Sequence, residues 1–311
     1  MDEVIHSTWH SFPALSLESE QMRVVIVPEL GAKIVSLFDK AHGQEWLAPP
    51  MRPLQQTTYG ADFVSQDMSG WDEMLPTIVA CNYQDALLPD HGEIWSIPWQ
   101  VQQTSEAAVL SVSGRTLPYR LTRSAELVAP DCLELHYTLA HTGEKPFPYL
   151  YAAHPQFVAD EQTCLILPPQ VTEMVNVIAD DPAWGLSGRR YAWPQALDRH
   201  GHPWRLDRVR SVDNHTCRKF YIPPESPVAW AALLHEGKGC QLRMEWSAAE
   251  LPYLGLWVDE GVYNNLPVAA FEPSNAYYDS LLWALENGRV PMLQPGQEHH
   301  WQIRLRLSAA G

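Results

Sequence analysis

Positive charge is scarce in this chain. Its 311 residues include 21 Lys and Arg against 37 Asp and Glu, a formal net charge of −16. So acidic a protein repels polyanions, which excludes nucleic acid and anionic membranes as partners. Paired cysteines are missing too. Cys81, Cys132, Cys164, Cys217 and Cys240 are scattered, odd in number and form no C-x-x-C. That pattern fits free thiols in a reducing compartment, not a disulfide framework or a zinc site. The first residues, Met-Asp-Glu-Val-Ile-His, have neither the basic nor the apolar region of a signal peptide, so a cytoplasmic protein is expected. The longest apolar run, 228–234, is far short of a bilayer span. The nucleotide fingerprint G-x-G-x-x-G, the P-loop, the G-x-S-x-G elbow and H-E-x-x-H are all absent, so no cofactor and no metal are expected. His200-Gly-His202 has a spacing that two metal ligands can share. It lacks a neighbouring Cys or carboxylate cluster and reads as a solvated loop, as His299-His300 reads as surface.

Aromatic residues are abundant, with 13 Trp and 12 Tyr, and such side chains favour strands. Period-2 stretches dominate. They predict strands over 22–27, 32–38, 45–47, 108–113, 119–127, 133–139, 148–153, 164–167, 219–222, 228–234, 241–246, 253–258, 268–271 and 301–307. Gln241-Leu-Arg-Met-Glu-Trp and Trp301-Gln-Ile-Arg-Leu-Arg-Leu alternate cleanly, as strands with one wet face do. No stretch keeps a 3.6-residue period over three turns. One short helix is predicted within 278–286, after Ser280. Two irregular stretches, 49–99 and 180–210, are rich in Trp, His and Asp and read as ordered loops that carry a site. There is no composition break, repeat or linker. The pattern predicts a single all-β domain over 1–311, a large antiparallel β-sandwich.

Three segments combine a titratable residue with a rigid backbone. Leu88-Pro89-Asp90-His91-Gly92-Glu93 fixes a His between a Pro-Asp turn and a Gly. Tyr151-Ala152-Ala153-His154-Pro155 ends a strand in His-Pro. Phe271-Glu272-Pro273-Ser274 ends another in Glu-Pro. Proline holds the preceding residue extended, so His154 and Glu272 project from strand ends as two rigidly aimed proton carriers. Taken singly, each also fits a structural or solvent-facing role.

In this order and over this length, the three segments resemble the aldose 1-epimerase (galactose mutarotase-like) superfamily. So do the early Gly31-Ala-Lys-Ile-Val-Ser-Leu-Phe-Asp-Lys-Ala-His-Gly-Gln-Glu-Trp-Leu and the late Leu293-Gln-Pro-Gly-Gln-Glu-His-His-Trp-Gln-Ile-Arg-Leu. The resemblance implies a supersandwich with an open cleft, a His acid and Glu base at His154 and Glu272, and a sugar-holding His at His91. It also implies a substrate-binding Asp, for which Asp213 and Asp259 are both candidates. The family's early Asn/Arg sugar contact has no match. The corresponding loop reads Asp67-Met-Ser-Gly-Trp71-Asp72-Glu73 and offers Asp72 and Trp71 instead. Trp71 and Trp257 are candidates for the cleft wall, though Trp257 fits a core position equally well.

The implied activity is interconversion of the α and β anomers of a hexose or hexose derivative, with a monosaccharide as the partner and a monomer or homodimer as the assembly. Glu272 is expected to act as base and His154, protonated, as acid. The rivals are a non-catalytic carbohydrate-binding protein on the same fold and a polysaccharide lyase or hydrolase. A further variant is a mutarotase for a phosphorylated or sulfonated hexose, with Arg189, Arg190, Arg205, Arg208 and Arg210 as anion contacts.

Overall fold

A computed structural model describes residues 4–104 and 106–310. The clean alternation read from the sequence forms one sheet. Its strands run Thr163–Ile166, Trp230–His235, Cys240–Trp246, Glu298–Ala309, Cys132–His141, Tyr119–Ala129, Ala108–Ser113 and Gln100–Thr104, and every neighbour is antiparallel. The other sheet has 13 strands. Across its middle lie, in order, Trp71–Met74, Ala152–Pro155, Val268–Ser274, Tyr253–Glu260 and Thr216–Tyr221. It ends at one edge in Ile5–Trp9 and at the other in Arg190–Ala192. The inner faces meet in one core, with Ile26, Trp71 and Phe271 from the larger sheet and Leu121, Leu135 and Ile303 from the smaller. This is the antiparallel β-sandwich that the sequence pattern predicts.

The middle strands do not alternate between dry and wet. Trp71–Met74, Ala152–Pro155 and Val268–Ser274 are buried at every position. Residues of the stretch 49–99, among them Phe63, Met68, Ile78 and His91, wall a cavity on their outer face, so no solvent imposes a period of two on the sequence. For that reason the strand Trp71–Met74 lies unannounced inside the stretch 49–99, which also contains the hairpin Cys81–Tyr83/Ala86–Leu88. The stretch 180–210 likewise contains Arg190–Ala192, Gln195–Leu197 and Pro203–Arg205. Ile5–Trp9 and Phe12–Glu18 are further strands outside the expected set. The expected strand 148–153 divides into Phe147–Pro148 and Ala152–Pro155. Between them the backbone leaves the ladder: Leu150 donates to Pro76 O and Tyr151 to Asn275 Oδ1. The helix is Leu281–Glu286.

A carboxylate joins the two sheets beneath the middle strands. Glu73 is fully buried and accepts from Arg123 Nη1 (2.9 Å) and the Tyr137 hydroxyl (2.7 Å) of the smaller sheet, and from the Tyr151 hydroxyl (2.8 Å). Arg123 stands where an alternating strand places a core residue and is itself fully buried. Removing one partner of such a pair strands the other charge in a dry core. Arg123→Met is expected to destabilise the protein by about 3–5 kcal/mol in urea titrations. Adding Glu73→Gln should return part of that loss, because the amide oxygen still accepts from the tyrosines but carries no charge. Equal unfolding midpoints for the single and double variants would show that the stranded charge is not the cause.

Candidate active site

Cross-strand register places the candidate residues on one face. His154 lies opposite Asp72, Ala152 opposite Ser274, Gly255 opposite Glu272, and Lys219 opposite Trp257. Residues two apart along a strand share a face. His154, Glu272, Trp257, Lys219 and Cys217 therefore project to the same side, the outer face roofed by the loops. There His154, Trp257, Lys219 and Cys217 line a cavity of about 210 Å³, with Phe63, His91, Gln156, Ile178, Tyr263 and Asp279 on its other walls, while Glu272 is fully buried and is not among the lining residues. A larger depression of about 640 Å³, lined by Tyr149, Arg289 and His299 among others, lies elsewhere. Glu298 and His300 there also approach to 3.7 Å, but both are exposed, whereas His154 and Glu272 are buried.

His154 Nε2 lies 3.7 Å from Glu272 Oε1. Both side chains are buried. Lys219 Nζ sits 2.8 Å from Glu272 Oε2 as its counter-charge, and Oε1 has no hydrogen-bond partner among the described residues. Lys219 also pairs with Asp279 Oδ2 at 3.1 Å, and Asp279 Oδ1 accepts from the Tyr221 hydroxyl at 2.7 Å. Burial pushes the Glu272 carboxyl up, and the Lys219 charge opposes that shift. Burial also pushes the His154 imidazole well below its usual value, assisted by the charges of His91 and Lys219. Both shifts favour the uncharged pair, imidazole and carboxylic acid, over the ion pair. Lys219 is drawn upward by Asp279 and Glu272 against its own burial, and it stays an ammonium. Gly255 makes room for this arrangement: a Cβ there would stand 3.2 Å from Glu272 Oε2.

His91 reaches the cavity from the loop 49–99. Its ring stacks on Phe63 (centroids 4.1 Å apart) and meets His154 edge to face (5.5 Å). Its Nδ1 is 2.9 Å from Asp90 Oδ1. The backbone at His91 is left-handed, with φ 57°, a conformation that His tolerates better than most residues. Gly92 follows at φ +74°, where a Cβ would collide with Leu75 O at 2.2 Å. Glu93 ties the turn down. Its carboxylate accepts from the hydroxyls of Tyr59 (2.8 Å) and Tyr119 (2.7 Å) and from the backbone N–H groups of Arg115 and Thr116.

Of the residues singled out in the sequence, the structure brings His154, His91 and Trp257 together around the cavity, with Glu272 buried next to His154. It does not bring the others. Trp71 shares the inner face with Glu73 and is packed in the core against Phe157, so it is not a cleft-wall aromatic. Asp72 adjoins His154 on the sheet but is committed to Lys33 Nζ at 2.7 Å and does not line the cavity. Asp213 is exposed on a turn and bonded to Ser211. Asp259 is buried and accepts the N–H groups of Val262 (2.8 Å), Tyr263 (3.1 Å) and Asn264 (2.8 Å), the work of a turn organiser. The acidic residue that does line the cavity is Asp279, after Glu272 in the chain. Neither it nor Lys219 was singled out. The available signal was a charged side chain in a strand pattern otherwise bound for burial, Lys219-Phe-Tyr-Ile.

No protein-family model matches the chain, and no curated protein matches it by sequence. Solved structures do match. A galactose mutarotase-like protein from Clostridium acetobutylicum superposes with a TM-score of 0.69 at 15% identity, over 99% of this chain and 99% of its own. One from Lactobacillus casei gives 0.70 at 17%, over 95% and 100%. The chain has the galactose mutarotase-like fold. A galactose mutarotase related enzyme from Lactobacillus acidophilus gives 0.68 at 14%, over 96% and 98%. At these identities the likeness concerns the fold, and it extends over almost the whole chain.

Asp72 yields a test of the site's electrostatics. Burial lifts its carboxyl from 3.8 to about 6, against the pull of Lys33. The folded chain therefore holds this proton more tightly than the unfolded chain does. The associated stability is present below pH 3.8 and is lost as pH rises through about 6. A shift of that size is worth about 3 kcal/mol. Between about pH 4 and pH 7, Asp72→Asn should gain about 3 kcal/mol relative to wild type, read from urea unfolding of both proteins across that range. A pH-independent gap would refute the raised carboxyl.

Proposed function

We propose that this cavity interconverts the anomers of an uncharged aldopyranose by acid–base ring opening. The observation that carries the reading is the 3.7 Å approach of His154 Nε2 to Glu272 Oε1. The hydroxyl and the ring oxygen of a cyclic hemiacetal are bonded to the same carbon. Two proton carriers this close reach both oxygens of one sugar at once.

Ring opening removes the proton from the C1 hydroxyl, breaks the bond between C1 and the ring oxygen, and protonates that oxygen. Glu272 as carboxylate takes the first proton and His154 as imidazolium supplies the second. The pair is then left as carboxylic acid and neutral imidazole. Rotation about C1–C2 presents the other face of the aldehyde, and closure runs the two transfers backward. The pair holds one proton throughout, and the environment acts on both of its forms. Burial favours the uncharged form, which goes with the open sugar. Lys219 favours the ionised carboxylate, which goes with the closed one. Opposed in this way, the two forms draw closer in energy than either influence alone would leave them. His91, stacked on Phe63 at the cavity wall, fixes the sugar's pose.

The guanidinium groups considered for an anionic sugar are engaged elsewhere. Arg190 pairs with Glu173 and Glu225, Arg205 with Asp207, Arg208 with Glu236 and Arg210 with Glu260. Arg189 leans on Tyr191. None lines the cavity, and its one lining lysine is already neutralised by two carboxylates. This supports an uncharged substrate. The five cysteines are free thiols, in keeping with a cytoplasmic setting.

Glu272→Gln should lower catalysed anomer exchange of glucose or galactose by on the order of 10²–10⁴-fold, measured by NMR exchange spectroscopy, with the fold intact by circular dichroism. Exchange at the wild-type rate would sink the assignment. Lys219 is a positioning residue, acting through the pair. With its charge removed, protonation of both partners becomes easier. Lys219→Met should therefore move the pH profile of kcat/KM toward alkaline pH as well as lower its maximum. A lower maximum on an unmoved profile would reduce Lys219 to a packing role.

A further inference from the structure

A buried amide on the cavity wall carries a donor with nothing to receive it. Gln156 lines the cavity and has a relative exposure of 1%. Its Oε1 accepts from Asn264 Nδ2 at 3.2 Å. The same Nδ2 donates to Asp259 Oδ2 at 3.1 Å. An ionised carboxylate only accepts, so the Asn264 amide has one orientation. The Gln156 amide is fixed in turn, with its oxygen toward Asn264 and its nitrogen away. Gln156 Nε2 then has no acceptor among the described residues. A buried donor left unpaired costs stability, and an oxygen of a bound molecule would satisfy it.

The register of the sheet locates that oxygen on a sugar. The ladder pairs Ala152 with Ser274 and Phe157 with Ala269. Continued between those pairs, it sets His154 across from Glu272 and Gln156 across from Ala270. Ala270 lies opposite Trp257, and Trp257 opposite Lys219. The reacting pair and Gln156 thus stand on adjacent rows of one face, about 7 Å apart along the strand. Trp257 and Lys219, in the Gln156 row, line the cavity. Ala152, Ser274 and Tyr253, in the row on the other side of the pair, do not. A sugar with C1 and its ring oxygen at the pair therefore extends over the Gln156 row. The ring edge opposite C1 and the ring oxygen is C3–C4. Glu272 takes the C1 hydroxyl and His154 serves the ring oxygen. C4 is joined to the ring oxygen through C5, so it falls on the His154 side of the ring. Gln156 stands on that side, two residues beyond His154.

We propose that Gln156 reads C4 of the sugar: its Nε2 donates to the 4-hydroxyl and so selects one C4 epimer. The proposal deepens the mutarotase reading and rests on it for the orientation of the sugar. Glucose and galactose differ only in the direction of this hydroxyl. An amide held in place by Asn264 meets one of the two directions and misses the other.

The test compares wild type with Gln156→Met, which keeps the length of the side chain and removes the donor. Anomer exchange by NMR and equilibrium binding are measured with glucose, galactose, 4-deoxyglucose and 2-deoxyglucose. Glucose and galactose share one 4-deoxy form, which makes it their common reference. Wild type should favour one C4 epimer over 4-deoxyglucose by on the order of tenfold in kcat/KM. Gln156→Met should bring that ratio close to one while the ratio of the favoured epimer to 2-deoxyglucose holds. A variant that loses equally on the favoured epimer and on 4-deoxyglucose reduces Gln156 to packing and overturns the proposal. So does a wild type that treats glucose, galactose and 4-deoxyglucose alike. In both cases continued exchange of glucose or galactose leaves the mutarotase reading standing. If no sugar is exchanged, but binding shows the 4-hydroxyl preference and Gln156→Met removes it, the contact stands and the catalytic reading falls. Binding of none of the sugars overturns both.

Discussion

An ammonium beside a buried carboxylate sets the terms for the rest of this molecule. Glu272 cannot stay ionised in such a place alone, and Lys219 cannot stay dry without an anion. Their strands are kept in register by the ladder that also seats Trp257 between them. Asp279 steadies the lysine from its other side. The cost of dehydration lowers His154 and raises Glu272, bringing a base and an acid of ordinarily different strength toward each other. The sandwich supplies the stiffness, and the loops supply the dryness.

That division explains which parts of the fold were legible in the sequence. Strands with one wet face, such as Cys240–Trp246 and Glu298–Ala309, write their period into the chain. Trp71–Met74 does not, since it is dry on both sides and carries two acids. The same fact misled the reading of Trp71. Its neighbour Asp72 faces outward, and an indole beside it was taken for a cleft wall, but alternation sends that indole inward with Glu73. His154 and Glu272 were legible because each precedes a proline, although the strands run on to Pro155 and Ser274 and neither residue ends its strand. Lys219 was not, because a buried lysine in a strand is written with the same letter as an exposed one, and only its neighbours in space tell them apart. Asp213 and Asp259 could not be separated by sequence either. An aspartate that gathers the backbone of a turn and one that holds a ligand have the same local composition.

The long loops are ordered by buried polar anchors, with little help from hydrophobic periodicity. Glu93 draws Tyr59, Tyr119 and the backbone of Arg115 and Thr116 onto one carboxylate, and so pins the turn that presents His91. Asn176 does a similar service across the chain, its amide reaching the carbonyls of Ile178, Gly185 and Leu186. Such anchors are single residues without a pattern. A loop can therefore be recognised as functional from its length and composition while its shape stays unread.

The larger sheet terminates in Arg190–Ala192, a strand of three residues that belongs to the same stretch of chain as Asp181 and Trp184. One segment thus both walls a cavity and seals a row of backbone donors and acceptors that would otherwise be open to a foreign strand. Its brevity, the charge of Arg190 and the proline at 194 make it a poor template for intermolecular pairing. Loosening this segment would do more than widen a pocket. It would uncover the flank of the whole sheet, so the fit of this stretch against its neighbours also guards the protein against aggregation.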